Sequence, residues 1–289
     1  RGPPHARASA GIHAVTASAR RDAIATRFAR AAGRYDDHAD VQRHAATALA
    51  ARIADLRLPP RPRILEIGCG TGLLTAALAR HIAVADWTIT DIAPEMVAAT
   101  RQSVISGRIP LKGDIRYACM DGEHPDPLLL GRYDLVCSSL AVQWFDDLPA
   151  GLQGLGACLA PGGTLAISTL TANTFREWRD AHGRLGLLAA TPDYPDADAL
   201  AHALAGHAGN VTVDTQRVGF ADGLAFVRSL KGIGATLPRN GARALRPFDF
   251  RRVLSHFTDE GATVTYEIAY GVWHRVDDAT RAVHRRLAP

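Results

Sequence analysis

The chain has 289 residues, 47% of them hydrophobic, enough to fill the core of one large α/β domain or two small ones. A net charge of +4 and a pI of about 9.1 favour an acidic partner, but charges of both signs alternate along most segments, which argues against a dedicated nucleic-acid stripe. No apolar run reaches the roughly 18 residues of a membrane span, so no membrane contact is expected; a monomer in the cytoplasm is the accompanying expectation.

Residues 1–21, RGPPHARASAGIHAVTASARR, contain no acid and are rich in Pro, Gly, Ala and Ser. They are expected to form a flexible tail, although the composition also fits a transit peptide. Residues 22–289 are expected to form one domain, with lid helices over 22–56, a ligand-binding core over 61–170, and lid insertions and late strands over 171–275. The stretch from Asp22 to Ile53 carries apolar residues at helical spacing with a break near Gly33, which predicts two helices. RILEIG reads as a buried strand, LLTAALARH as a helix, DWTITDI as a strand and PEMVAATRQ as a helix opened by proline. IRYACM, YDLVCSS and TLAISTL are three further strand candidates. Strands alternating with helices imply right-handed βαβ units and a parallel sheet. Beyond Leu170, TANTFREWRDAHGRLG, DADALAHALAGH, GLAFVRSLKGIGA and FDFRRVLSHF read as helical, and VTVDTQRVGF and TVTYEIAYGVWHRV as strands. Cys69, Cys119, Cys137 and Cys158 stand singly in apolar segments, as reduced core thiols do, and no metal site is expected.

The stretch RILEIGCGTGLLTAAL places a strand, three alternating glycines and a helix in succession. A dinucleotide turn would read G-x-G-x-x-G, yet Leu73 stands where its third glycine belongs. Glu66 at the strand end would repel a phosphate and suits a ligand with a positive end. S-adenosylmethionine has an ammonium, a sulfonium, a carboxylate, a ribose and an adenine, and no phosphate. The turn Gly68, Cys69, Gly70, Thr71 and Gly72 would let backbone approach its methionine part, and Glu66 can meet the ammonium directly or through water. Asp91, 23 residues past Gly68 at the end of the second strand, is placed to accept both ribose hydroxyls. Asp121, with Gly122 after it, follows the third strand and suits the adenine amino group, with Ile92, Met96 and Leu140 around the ring. Each residue has an ordinary alternative: Asp91 can cap a helix and Asp121-Gly122 can be a turn.

Taken together, EIGCGTG, TDIAPEM, MDGE and LAPGGTLAIST resemble the class I S-adenosylmethionine-dependent methyltransferases over residues 63–170. The resemblance implies a Rossmann-like α/β fold: a seven-stranded, mostly parallel sheet with helices on both faces, a helical lid, and a reversed strand for which TYEIAYGVWHRV is the candidate. FARAAGRYDDHADVQRHAA, SSLAVQWFDDL and SLKGIGAT are similar, more narrowly, to the malonyl-acyl-carrier-protein O-methyltransferases of biotin synthesis. That likeness implies methylation of the free carboxylate of a malonyl thioester carried on an acidic acyl-carrier protein. A carboxylate is already ionised at neutral pH, so no general base is needed. Positioning and desolvation carry the reaction, and effective molarity can lower a barrier by roughly 7–11 kcal/mol. On this reading Tyr35 lies over the methionine part and Arg43 pairs with its carboxylate. Gln143 and Trp144 line the acceptor site, and Lys231, with the two glycines that follow it in SLKGIGAT, meets the acceptor carboxylate or the carrier's phosphopantetheine phosphate. Arg176, Arg179, Arg184, Arg228, Arg239, Arg243, Arg246, Arg251 and Arg252 are candidates for a carrier-docking patch. Methylation of a free small-molecule acid or quinone precursor, and a non-catalytic binding or RNA-associated module, are the competing readings.

Overall fold

The computed structural model describes residues 6–204, 207–235 and 244–276, with side chains from residue 19 onward. Helix α1 (Ala6–Ala31) runs through a 3-10 segment (Ala32–His38) into α2 (Asp40–Ala54), so the expected break falls at Gly33. The expected tail is helical from Ala6, and Arg20 and Arg21 pair with Asp146 and Asp121. A boundary at residue 21 therefore cuts through a helix; its many alanines favour helix, a preference outweighed in the sequence reading by the prolines and glycines.

The remaining elements alternate as β1 (Arg63–Ile67), α3 (Leu73–Leu78), β2 (Asp86–Asp91), α4 (Pro94–Ile105), β3 (Ile115–Cys119), β4 (Tyr133–Ser139), α5 (Leu148–Ala157) and β5 (Leu159–Leu170). Then come α6 (Arg176–Gly183), α7 (Ala197–Ala201), β6 (His207–Gly219), α8 (Gly223–Gly232), α9 (Pro247–Asp259) and β7 (Thr263–Arg275). The seven strands form one sheet in the order β3-β2-β1-β4-β5-β7-β6. β1 to β5 pair in parallel, and β7 runs antiparallel between β5 and β6. β1 is buried from Ile64 onward because both faces are covered, which is why RILEI reads as a nearly continuous apolar run. Strand order reverses between β1 and β4, and a sheet of this kind opens a crevice beyond the carboxyl ends there.

One core lies under α2 and α3, with Leu49, Ile53, Leu74 and Leu78 against Trp87 and Ile89. The other lies under α5, where Leu152 and Leu155 meet Ile167 and Trp273. Helix α5 has no counterpart among the sequence expectations. Three glycines in ten residues cost it roughly 1 kcal/mol each in propensity, and tertiary packing requires them. A Cβ on Gly151 would stand 2.4 Å from the Phe145 ring, and one on Gly156 would be 3.1 Å from Leu204. Asp147 caps the helix by accepting from the Ala150 amide at 3.0 Å.

The late helices are held by an aromatic cluster. Trp178 of α6 lies 5.2 Å from both Phe226 of α8 and Phe257 of α9, and Phe175 meets Tyr266 of β7 at 5.0 Å, all edge to face. Such pairs add about 0.5–1.5 kcal/mol each beyond their burial. Cys119 corrects one expectation: it is exposed rather than in the core, because β3 is an edge strand, while the other three thiols are buried.

Candidate active site

The turn after β1 is built by positive φ angles at Gly68 (67°), Gly70 (55°) and Gly72 (95°). They serve different ends. A Cβ on Gly68 would lie 2.4 Å from the Ala141 Cβ, whereas Gly70 faces open space. Gly72 was expected at the ligand, but a Cβ there would strike the Ile109 side chain at 2.7 Å, so this glycine packs α3 against its neighbours. Asp91 braces the turn: its Oδ2 accepts from the Gly70 amide and its Oδ1 from the Ala93 amide, both at 2.9 Å. Burial raises the Asp91 pKa above the ordinary carboxylate value, and these amides oppose the rise.

A cavity of about 710 Å³ opens beyond these strand ends. Gly68, Gly70 and Asp91 line one side; Ile92, Met96, Asp121, Gly122 and Leu140 line the rest, with Tyr35 and Trp144. Leu140 has a φ of 48°, a left-handed conformation uncommon for a residue other than glycine. The roof is helix α1, through Arg21, Ile24 and Phe28. None of these was anticipated, although their spacing of three and four residues is the inward stripe of a helix. Phe28 stacks edge-on against Trp144 at 5.6 Å, and Arg21 donates to Asp121 at 2.7 Å. Burial alone would raise the Asp121 pKa, but hydrogen bonds from Arg21 and His124 outweigh it and hold the carboxyl below its usual range. Glu123 accepts from the amides of Asp146 (3.0 Å) and Asp147 (2.6 Å) and so fixes the loop that carries Phe145.

A second recess of about 300 Å³ lies between the glycine turn and α2, lined by Tyr35, Gln42, Cys69, Gly70 and Thr71. Gln42 takes the place expected for Arg43. One helical step of about 100° separates the two, and it leaves Arg43 exposed, donating to the Asp36 carbonyl at 3.2 Å. The buried Gln42 Oε1 has no hydrogen-bond partner among the described residues. Thr71 donates to Asp36 at 2.7 Å, tying the glycine turn to the 3-10 segment. Burial raises the Cys69 thiol far above its ordinary value, which makes it a wall rather than a nucleophile. Glu66 is 1% exposed and does not line the cavities. Its Oε2 accepts from Thr75 at 2.7 Å, while its Oε1 has no partner among the described residues. Burial pushes its pKa up to about 7, with the Thr75 hydrogen bond opposing and Asp91 adding to the rise.

A third cavity of about 380 Å³ continues past Tyr35 and Trp144, bounded by Gln42, Leu140, Gln143, Phe175, Tyr194, Leu230, Ile233 and Tyr266. Tyr35 thus lines all three spaces. Gln143 lines the third, its amide donating to the Leu140 carbonyl at 2.9 Å. Lys231, expected to meet an acceptor here, is exposed at the end of α8 and lines none of them. Leu230 and Ile233 take the inward face, which turns the lysine outward. The glycines beside it approach α1 and the 3-10 segment instead of a ligand. A Cβ on Gly232 would meet the His38 ring at 2.1 Å, and Gly234 (φ 73°) would bring one within 3.0 Å of the Arg27 carbonyl oxygen. Of the arginines, Arg176 and Arg184 pair with Glu177 and Glu260, and Arg179 donates to the Thr174 and Ala172 carbonyls. Arg239 and Arg243 lie outside the described residues.

A sheet reversing at β1/β4, a glycine turn braced by an acidic strand end, and a cavity beyond them roofed by an N-terminal helix define a class I methyltransferase. Residues 41–211 match the family model described as a methyltransferase domain. The YcgJ protein of Bacillus subtilis superposes with a TM-score of 0.58 at 12% identity, covering 81% of this chain and 99% of that one, a likeness of fold alone. The malonyl-acyl-carrier-protein O-methyltransferase of Magnetococcus marinus is 40% identical over 90% of this chain and 95% of its own length. The biotin biosynthesis bifunctional protein BioCD of Bordetella avium is 54% identical over 87% of this chain, which spans only 52% of that longer protein. The chain belongs to the malonyl-acyl-carrier-protein O-methyltransferase family.

Proposed function

We propose that the protein transfers a methyl group from S-adenosylmethionine to the free carboxylate of a malonyl thioester on acyl-carrier protein, giving the methyl ester used in biotin synthesis. The observation that carries this reading is the junction at Tyr35 of a cavity beside the glycine turn and Asp91, a recess between that turn and α2, and a third cavity lined mainly by apolar and aromatic side chains. The residues fit the methyl donor. Gly70 leaves open space where a side chain would intrude, and Gln42, in the wall of the recess, has an Oε1 with no partner among the described residues. Asp91 would take the ribose, Asp121 the adenine amino group, and Ile92, Met96 and Leu140 the ring. Gln42, rather than Arg43, would meet the amino-acid end. The bound donor supplies an electrophilic methyl on a sulfonium, so the acceptor needs no base.

The chain's own task is to align the acceptor and exclude water. Phe28 and Trp144 close the roof between donor and acceptor chambers, and α1 is held down by Arg21 on Asp121. Replacing Arg21 by Ala removes that tie, and an ion pair whose side chains are about one quarter exposed is worth about 1 kcal/mol. Roughly fivefold weaker binding of S-adenosylhomocysteine is expected by calorimetry; unchanged affinity would show that the roof closes without it.

Arg228, Lys231, Arg246, Arg251 and Arg252 are exposed on or beside the packed pair α8–α9, where they would steer an acidic carrier toward the chamber. Mass spectrometry of malonyl-carrier protein incubated with the methyl donor should show one added methyl group. Glu at Arg228, Lys231, Arg251 and Arg252 together should raise KM for the carrier substrate about tenfold at low salt and leave a malonyl-pantetheine substrate unaffected. No methyl transfer to any malonyl thioester would end the functional reading; equal loss on both substrates would end the docking assignment.

A further inference from the structure

An anionic acceptor must be oriented in the chamber beside Trp144, yet no lysine or arginine lines it among the described residues. Three tyrosines do: Tyr35, Tyr194 and Tyr266. None of their hydroxyls has a hydrogen-bond partner among the described residues. The phenol oxygens of Tyr117 and Tyr270 also lack partners but are sealed in the protein, whereas Tyr35, Tyr194 and Tyr266 line the chamber. Unpaired phenols on the wall of a largely apolar chamber leave a polar demand that a ligand would meet.

Their rings are fixed from behind. Phe175 lies edge-on to Tyr266 at 5.0 Å and to Tyr194 at 6.2 Å. Phe175 holds this place through a left-handed backbone (φ 63°), with its amide donating to the Thr265 carbonyl at 2.7 Å. An aromatic residue in that conformation is strained, and strain of this kind accumulates at sites that must hold a geometry. Burial raises both phenol pKa values well above the ordinary one, so each remains a protonated donor across the working pH range. Arg179 is close enough for its charge to act on Tyr194, but its guanidinium is engaged with the Thr174 and Ala172 carbonyls. It contributes positive potential from one layer back, without contact.

We propose that Tyr194 and Tyr266 hold the carboxylate of the acceptor as uncharged O–H donors, and so select acyl thioesters that end in a carboxylate over those that end in a methyl group. This rests on the reading of the acceptor as a carboxylic acid given above. The chemistry favours phenols over a lysine for the task. An ammonium in contact would neutralise the attacking oxygen and hold it in an ion pair, whereas a phenol orients one oxygen and leaves most of the negative charge on the other.

The test uses the full chain saturated with S-adenosylhomocysteine and two probes, malonyl-pantetheine and the neutral acetyl-pantetheine, with dissociation constants from calorimetry. Tyr194→Phe and Tyr266→Phe should each weaken malonyl-pantetheine about tenfold and together on the order of 100-fold, with acetyl-pantetheine and S-adenosylhomocysteine unchanged within about twofold. A merely structural role would weaken both thioesters alike and overturn the assignment, as would a double variant that keeps the preference for malonyl. On the wild-type protein, malonyl-pantetheine should produce a tyrosine ultraviolet difference spectrum that acetyl-pantetheine does not; its absence also overturns the assignment, whatever the folding of the variants. A wild-type protein that binds the two thioesters equally would instead sink the carboxylate reading from which the proposal starts.

Discussion

Asp91→Asn is expected to weaken binding of S-adenosylhomocysteine on the order of 100-fold and to lower the melting temperature. The carboxylate accepts from the Gly70 and Ala93 amides at once, one oxygen to each, so it locks the glycine turn to the start of α4. An asparagine has one acceptor oxygen, and its NH2 group must face one of those two amides, donor against donor. The turn would have to move away, and the ribose would lose a charged acceptor in the same step. Removing one partner of a buried hydrogen-bonded group costs about 1–3 kcal/mol, and two such losses account for the expected factor. Calorimetry with S-adenosylhomocysteine and a melting curve without ligand measure the two parts separately. Near-native affinity in the variant would mean that Asp91 is only a brace.

For Glu66→Gln the expected result is a pH-dependent gain in stability. The carboxyl is raised from 4.5 to about 7 in the folded protein, chiefly by burial. Below pH 4.5 both folded and unfolded forms hold the proton and nothing is lost. Between 4.5 and 7 the unfolded chain releases it while the folded one retains it, so stability falls as pH rises, and the penalty is complete above about 7. At 1.36 kcal/mol per unit the penalty is roughly 3 kcal/mol. A glutamine mimics the protonated form and removes the dependence. Its melting temperature should match wild type near pH 4.5 and exceed it by several degrees at pH 8, at about 2–4 °C per kcal/mol for a chain of this size class. Equal melting temperatures at pH 8 would show that the ionised carboxylate is already well solvated or paired.

Helix α5 and the roof of the cavity show where sequence reading stops. LPAGLQGLGA has a composition that disfavours helix, and only the closeness of Phe145 and Leu204 explains why glycine stands at 151 and 156. Arg21, Ile24 and Phe28 share a helical stripe, but nothing local says that this stripe covers a ligand cavity. Gln42 and Arg43 are neighbours in sequence, and the charged one attracts attention as a partner for an anion. The rotation of α2 about its axis decides between them, and that rotation is set by Val41, Ala45 and Leu49 packing on the sheet. The same holds for Lys231, which is conspicuous among arginines yet turned out of the chamber by its apolar neighbours.

The strands, their alternation with helices, the glycine turn and the acids at the ends of β2 and β3 were all determined by sequence alone. Each depends on local periodicity or on residues a few positions apart, which the chain order preserves. The position of β7 between β5 and β6, the closure of α1 over the cavity, and the meeting of Tyr35, Tyr194 and Tyr266 in one chamber were decided only by the tertiary structure. Those three tyrosines are spread over more than 200 residues. Long-range burial brings them together, and no pattern along the chain records which buried faces will meet.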